Sequence, residues 1–326
     1  MPTLHSSLCT LHLLVCTLDE RIAAVPQMLL PPQEGVRWVV SMQYTDERFL
    51  QQIPSVLRER SDVHLLTLPG KGLSRNRNHA LAFVRQALFS EADSEHCTLS
   101  EPCRLAGRLQ GSHLQAMGIG RMDSSLFTLR SSLPHACLIS DDDVRYALPQ
   151  LQALRRCLAD NPQVDVALFE MTAPDGTPLK PYPTRSMTYR EAMAVRGYYP
   201  TSMEIVLGAR AVEQLYFDER FGLGSPALPC GEEEVLLCDA LREGLEVRFF
   251  PVVIGQTDPA TTGLRFLSDP AVQRAKGAVF AYTLPPARAY YKMAKEALHH
   301  LLYSRANPFP LLRHMQEGAL KVKSEE

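Results

Sequence analysis

None of the 8 cysteines stands in a Cys-x-x-Cys pair, so neither a zinc ribbon nor a thioredoxin-like redox site is indicated. No apolar run approaches the roughly 18 residues that a membrane-crossing helix needs. Charge of one sign is also missing. The 34 Lys+Arg stand against 36 Asp+Glu for a net charge of −2, so nucleic acid will not be held by bulk phosphate attraction. Any phosphate must be gripped locally. There is no Gly-x-Ser-x-Gly elbow, since Gly72-Leu-Ser-Arg-Asn76 ends in Asn. Gly118-Ile-Gly120 lacks the third glycine of a dinucleotide fingerprint. The ten histidines form no His-x-x-x-His pair. The apolar stretch 8–18 has no basic start and no small-residue cleavage site, so it reads as a strand rather than a signal peptide.

What is present is globular. Hydrophobic residues make up 45% and charged residues 21% of 326, which excludes disorder and fibrous repeats. The length suits one large α/β domain with an appendage. Cys16 and Cys137 lie inside apolar runs, where a free thiol acts as a small buried hydrophobe, and this suits a reducing cytoplasm.

Short apolar runs alternate with helical patterns from the start of the chain. Residues 11–16, 37–42 and 63–68 read as strands, 20–30 and 46–60 as helices broken by Pro26 and Pro54, and 73–89 as a longer helix. The polar stretch 91–134 reads as an insertion, with a turn at Met117-Gly-Ile-Gly-Arg121. Strands resume at 136–139, 164–169, 202–207 and 245–253, with a helix at 233–241. Beyond about residue 262 the chain turns helical, at 269–281, 287–303 and 308–320. This order predicts a mostly parallel sheet covered by helices, whose ligands bind beyond the carboxyl ends of its strands.

Three constellations could carry chemistry. Asp141-Asp142-Asp143 follows a buried strand. Adjacent carboxylates resist ionising together, and Mg²⁺ or Mn²⁺ shared with substrate phosphates removes that cost. The plainer reading is a cap on a helix starting near Val144. Gly72-Leu-Ser-Arg-Asn-Arg-Asn-His79 opens a helix, where Arg75 and Arg77 with Ser74 could face a diphosphate; the alternative is a solvated basic turn. Phe217-Asp-Glu-Arg-Phe-Gly-Leu-Gly224 and Cys230-Gly-Glu-Glu-Glu234 suit a close-approach loop followed by either a catalytic carboxylate or a charged helix start.

In this order the three resemble the inverting family 2 glycosyltransferases of GT-A fold, over residues 11 to about 262. The resemblance implies transfer of a sugar from a nucleotide-diphosphate donor, a UDP-sugar first of all, to the hydroxyl of a glycan or lipid-linked glycan. It implies a domain over residues 8–262 and a helical extension over 263–326. By position, Thr17 would lie near the nucleobase, with Gln43 or Asp46 on the uridine side. Arg77 and Asn78 match the family's Arg-Asn pair near the donor. Asp141 and Asp143 match the outer members of its Asp-x-Asp motif, which holds the divalent metal, with Asp142 between them on the donor side. Glu233 matches the acid that removes the acceptor proton, one residue from Glu232.

Two departures stand out. Where the family often has a histidine after the last core strand, this chain reads Val253-Ile-Gly-Gln-Thr257, so Gln256 takes the candidate metal position. The base position commonly holds Asp, and Glu is longer. A sugar-nucleotide nucleotidyltransferase would need a glycine-rich loop after the first strand, and Cys16-Thr-Leu-Asp-Glu-Arg21 has none. A catalytically inactive nucleotide- or glycan-binding relative is the other alternative. Acceptor contacts are expected from residues 173–199 and from the C-terminal helices. Between Tyr291 and Lys323 six basic residues face two acidic ones, Glu296 and Glu317. Ala294, Ala297, Leu298, Leu301 and Leu302 form an apolar face there, so a cytoplasmic protein with peripheral contact at the inner membrane face is expected, or else a helix packed on the domain.

Overall fold

The computed structural model describes residues 8–95, 135–259 and 265–323. The expected insertion, beyond the helix that enters it, lies outside the described residues, as does the turn at 117–121.

Eight strands, β1 (Thr10–Leu18), β2 (Val36–Tyr44), β3 (Val63–Pro69), β4 (His135–Asp141), β5 (Val166–Thr172), β6 (Met187–Thr188), β7 (Ile205–Gly208) and β8 (Val247–Gln256), form one sheet in the order β3-β2-β1-β4-β7-β5-β8-β6. Pairing is parallel throughout except for β7, antiparallel to β4 and β5, and β6, antiparallel to β8. The apolar runs of β1 and β4 are continuous because both faces of the sheet are covered. On one face Leu11, Leu13 and Val15 meet Trp38, Val40 and Leu138; on the other Leu14, Val39 and Ile139 meet a helix through Ala80, Leu81 and Val84.

The helices are α1 (Val56–Glu59), α2 (Leu73–Glu95), α3 (Leu148–Asp160), α4 (Tyr189–Ala192), α5 (Ala209–Gln214) and α6 (Glu232–Arg242), then α7 (Pro270–Thr283), α8 (Pro286–Ser304) and α9 (Pro308–Lys323). The mixed α/β architecture and the C-terminal helical stretch expected from the sequence are both present. The helices expected at 20–30 and 46–60 are instead 3₁₀ segments, Asp19–Met28 and Glu47–Gln52, with only α1 in α conformation. Pro26 and Pro54 remove amide donors that longer α-helices would use. The strand expected from Ser202 starts at Ile205, after a 3₁₀ turn at Ser202–Glu204.

Helices α7 and α9 approach so closely that Gly277 lies against the backbone of Met315, and Gly318 against that of Arg274. Any Cβ at either position would collide with main chain. In an open helix Gly→Ala stabilises by roughly 0.5–1 kcal/mol. Here overpacking, worth about 1–3 kcal/mol, outweighs that gain. Gly277→Ala should therefore lower the denaturation midpoint; a stabilised variant would show that the two helices do not pack this tightly.

Candidate functional site

Parallel pairing brings the expected residues to one edge. Leu18 pairs with Gln43 and Cys16 with Asp141, so the carboxyl ends of β1, β2 and β4 align. Thr172 and Gln256 pair at the same end of β5 and β8. After β4 the chain turns without starting a helix: α3 begins only at Leu148, and Arg145 exchanges two 2.8 Å backbone hydrogen bonds with Gln256. The plain reading of the acids as a cap at Val144 is therefore overturned. The backbone there is tied to β8 instead.

The three acids diverge. Asp142 turns inward, accepting from the Thr17 hydroxyl at 2.6 Å and from Arg21 Nε at 2.8 Å, with a second contact from Arg21 Nη2. Asp143 is 59% exposed, with Arg21 Nη2 at 3.8 Å. Partial burial, then the charges of Asp141 and Asp142, hold its pKa above the usual carboxylate range. Asp142, Asp143, Arg145, Gln256 and Asp258 line a cleft of about 210 Å³. Gln43 is buried, and its amide nitrogen has no partner. Asp46 caps the 3₁₀ segment that follows it, accepting from the Arg48 backbone at 2.9 Å.

Arg21 and Asp19 are site residues that the sequence reading passed over. Asp19 adopts φ 51°, in the left-handed region, and its carboxylate accepts from the Thr45 amide at 2.7 Å and hydroxyl at 2.9 Å. It thereby ties the loop after β1 to the loop after β2. The available signal was three charged residues, Asp19-Glu20-Arg21, at the carboxyl end of the first parallel strand.

The start of α2 is fastened to the glycine loop. Leu73 N donates to Leu223 O at 2.8 Å, and the Ser74 hydroxyl donates to Phe221 O at 2.6 Å. Gly222 has φ 101°, and a Cβ there would meet Ser74 Oγ at 2.8 Å. Asn78 accepts from Phe217 N and donates to Phe217 O, both at 2.8 Å, so its side chain binds protein backbone. Arg75 donates to Pro69 O at 3.2 Å and borders a second cleft of about 140 Å³ with Lys71 and Ser225.

Arg77 is fully buried and does not face an open phosphate site. Its Nη2 donates to Asp141 at 3.1 Å, its Nη1 donates to Glu232 at 3.1 Å, and Glu233 lies 3.8 Å from the same Nη1. Burial alone opposes the charge; the carboxylates of Asp141, Glu232 and Glu233 outweigh it and hold the guanidinium protonated. Gly231, at φ 99°, turns the chain into α6 where a Cβ would strike Val279. Glu232 is buried, with Oε2 unpartnered. Glu233 retains 17% exposure. Burial, then the Glu232 carboxylate, push its pKa up to about 8. The helix N-terminus favours the ionised acid by roughly 0.3–1 kcal/mol and is outweighed.

A divalent cation fits this donor set in one way only. Among the described residues no group of three His, Cys, Asp or Glu side chains could cage an ion. Asp141, one-quarter exposed, and Asp143 offer two hard oxygens whose mutual repulsion a cation would relieve. That suits an ion completed by substrate phosphates.

No family model and no curated protein matches this chain. Similar solved structures include S. aureus TarS 1-349, at 15% identity over 91% of this chain and 73% of that one, TM-score 0.47. Another is the mannosyltransferase PcManGT from Pyrobaculum calidifontis in complex with GDP-Man and Mn²⁺, at 11% identity over 98% and 76%, TM-score 0.45. A mycobacterial protein follows at 12% identity over 86% and 76%, TM-score 0.41. At these identities and scores the likenesses assign neither activity nor substrate.

The raised pKa of Glu233 has a consequence for stability. Folding favours its protonated form, so that contribution is complete below 4.5 and is lost as pH rises to about 8. Glu233→Gln, neutral at every pH, should melt progressively higher than the parent across that window. A melting difference independent of pH would mean that Glu233 is ionised throughout.

Proposed function

We propose that this chain is an inverting glycosyltransferase, moving a sugar from a nucleoside-diphosphate donor, first of all a UDP-sugar, to the hydroxyl of a glycan or lipid-linked acceptor. One observation carries the reading: a single guanidinium joins Asp141, at the donor end of the sheet, to the Glu232–Glu233 helix start. The acid that would hold diphosphate and metal and the candidate base are thus anchored by one side chain. In this reading Thr17 and Gln43 flank the nucleobase, and the Gln43 amide, buried without a partner, is a donor suited to a base carbonyl. Arg21 and Arg75 are cations accessible to phosphate, as are Arg145 and Lys71 in the two clefts, whereas Arg77 and Asn78 hold the frame. Asp141 and Asp143, with Gln256 alongside, would hold Mg²⁺ or Mn²⁺, which when bound would offset negative charge on a diphosphate leaving group. Glu233 takes the acceptor proton as the hydroxyl oxygen attacks the anomeric carbon. A proton acceptor whose pKa lies near working pH is well matched to that task.

The test is release of nucleoside diphosphate across a panel of nucleotide sugars with Mn²⁺ or Mg²⁺. Tight donor binding without turnover over an acceptor panel would favour the inactive relative. Glu233→Gln should cut turnover by roughly 10²–10⁴-fold with donor affinity nearly unchanged. Inactivation by Glu232→Gln alone, with Glu233→Gln active, would move the base by one residue. Asp143→Asn should abolish metal-dependent donor binding in a folded protein; an unchanged metal response would remove that residue from the metal site.

A further inference from the structure

Helix α8 contradicts half of what its sequence suggested. Ala297 packs inward with Ala289 and Met293, against Leu311 and Met315 of α9. Leu298, Leu301 and Leu302 do not follow it. Tyr291 is 65% exposed, Leu298 52% and Leu302 66%. At 100° per residue these three fall within about 40° of one line along the helix, with Ala294 and Leu301 beside them. Arg288, Lys292 and Lys295 are exposed along one flank of the stripe. Among the described residues none of the three pairs with a carboxylate. Glu296, the helix's one acid, lies about 140° round from the stripe, one turn beyond Lys292, and 3.6 Å from His300.

We propose that this outer face of α8 is a docking surface for an anionic lipid bilayer, with Tyr291, Leu298 and Leu302 entering the interface and Arg288, Lys292 and Lys295 meeting the headgroups. An apolar stripe on a folded surface is costly to leave in water unless something covers it. Cations with apolar stems beside it suit the boundary between acyl chains and anionic headgroups. A second copy of the chain is the poorer fit. A two-fold contact along the stripe would bring the same cations toward one another with no acid of this helix along the stripe to meet them.

Co-flotation of the full chain with phosphatidylcholine vesicles, and with vesicles rich in phosphatidylglycerol, tests this. Binding should occur on the anionic vesicles only and weaken as salt is raised. The double variant Leu298→Glu, Leu302→Glu should lower partitioning by at least about tenfold at an unchanged melting temperature, since both side chains are exposed. No flotation with anionic vesicles at low salt would overturn the proposal. So would equal binding to both vesicle types, or binding that survives the double variant. A concentration-dependent dimer, lost in the double variant and accompanied by no vesicle binding, would assign the face to self-association instead.

Discussion

A buried guanidinium with carboxylates on two sides is the constraint on which the rest depends. Arg77 sits where α2, the end of β4 and the start of α6 meet, with the Phe217 ring 5.2 Å from its charge. Removing a cation from water is expensive, and removing one partner of a buried pair typically costs about 3–5 kcal/mol. Neither Asp141 nor Glu232 can therefore drift without leaving charge stranded in the interior. Arg77 Nε and Glu232 Oε2 remain without partners, so the network is not fully satisfied even as it stands. Such a junction fixes position rather than adding stability for its own sake.

The glycine loop makes the junction possible. Gly222 and Gly224 bring the 217–224 segment onto Gly72 and Ser74, and Asn78 holds the Phe217 peptide through both its amide groups. Backbone is thereby stacked directly on backbone. Gly231 repeats the device, letting α6 start against Val279 of the C-terminal helices. The acids of α6 are thus set from two directions, by α2 beneath them and by α7 beside them. Similar buried polar anchoring occurs where the chain enters β7, within reach of the charges of Glu233 and Glu234. There Lys180 lies 2.9 Å from Glu204, and the Tyr182 hydroxyl donates to the same carboxylate at 2.6 Å. Residues 173–204 are held there, and their sequence carries no code that would have announced it.

Much of the frame was legible because it rests on periodicity. The runs that became β1 to β5 and β8 are apolar over lengths a buried parallel strand needs, and the C-terminal helices carry spacings only a helix satisfies. Short-range conflicts were less legible. The proline-bearing segments 20–30 and 46–60 have helical spacing yet form 3₁₀ turns, because a missing amide donor decides the hydrogen bonding. The acids at 141–143 looked able to cap a helix, but Arg145 joins Gln256 of β8, a long-range pairing that no local pattern carries.

The sequence by itself determined most of the strands, the long helix after the third strand and those beyond residue 232, and that acids would collect at the carboxyl edge of a parallel sheet, since these follow from residue type, spacing and strand direction. The helix at Leu148–Asp160 and the short strand Met187–Thr188 were not legible in it. Tertiary structure decided what each charged residue does. Asp142, Asp143 and Asp141 are neighbours of one type, yet one is clasped by Thr17 and Arg21, one is exposed, and one is paired to Arg77. Arg75 and Arg77 are two residues apart, yet one borders an open cleft and the other is sealed inside. The ionised form of Glu233 is favoured by the helix dipole and opposed by burial, and burial prevails. Burial and the nearest charges set these outcomes, and both are supplied by residues distant in the chain.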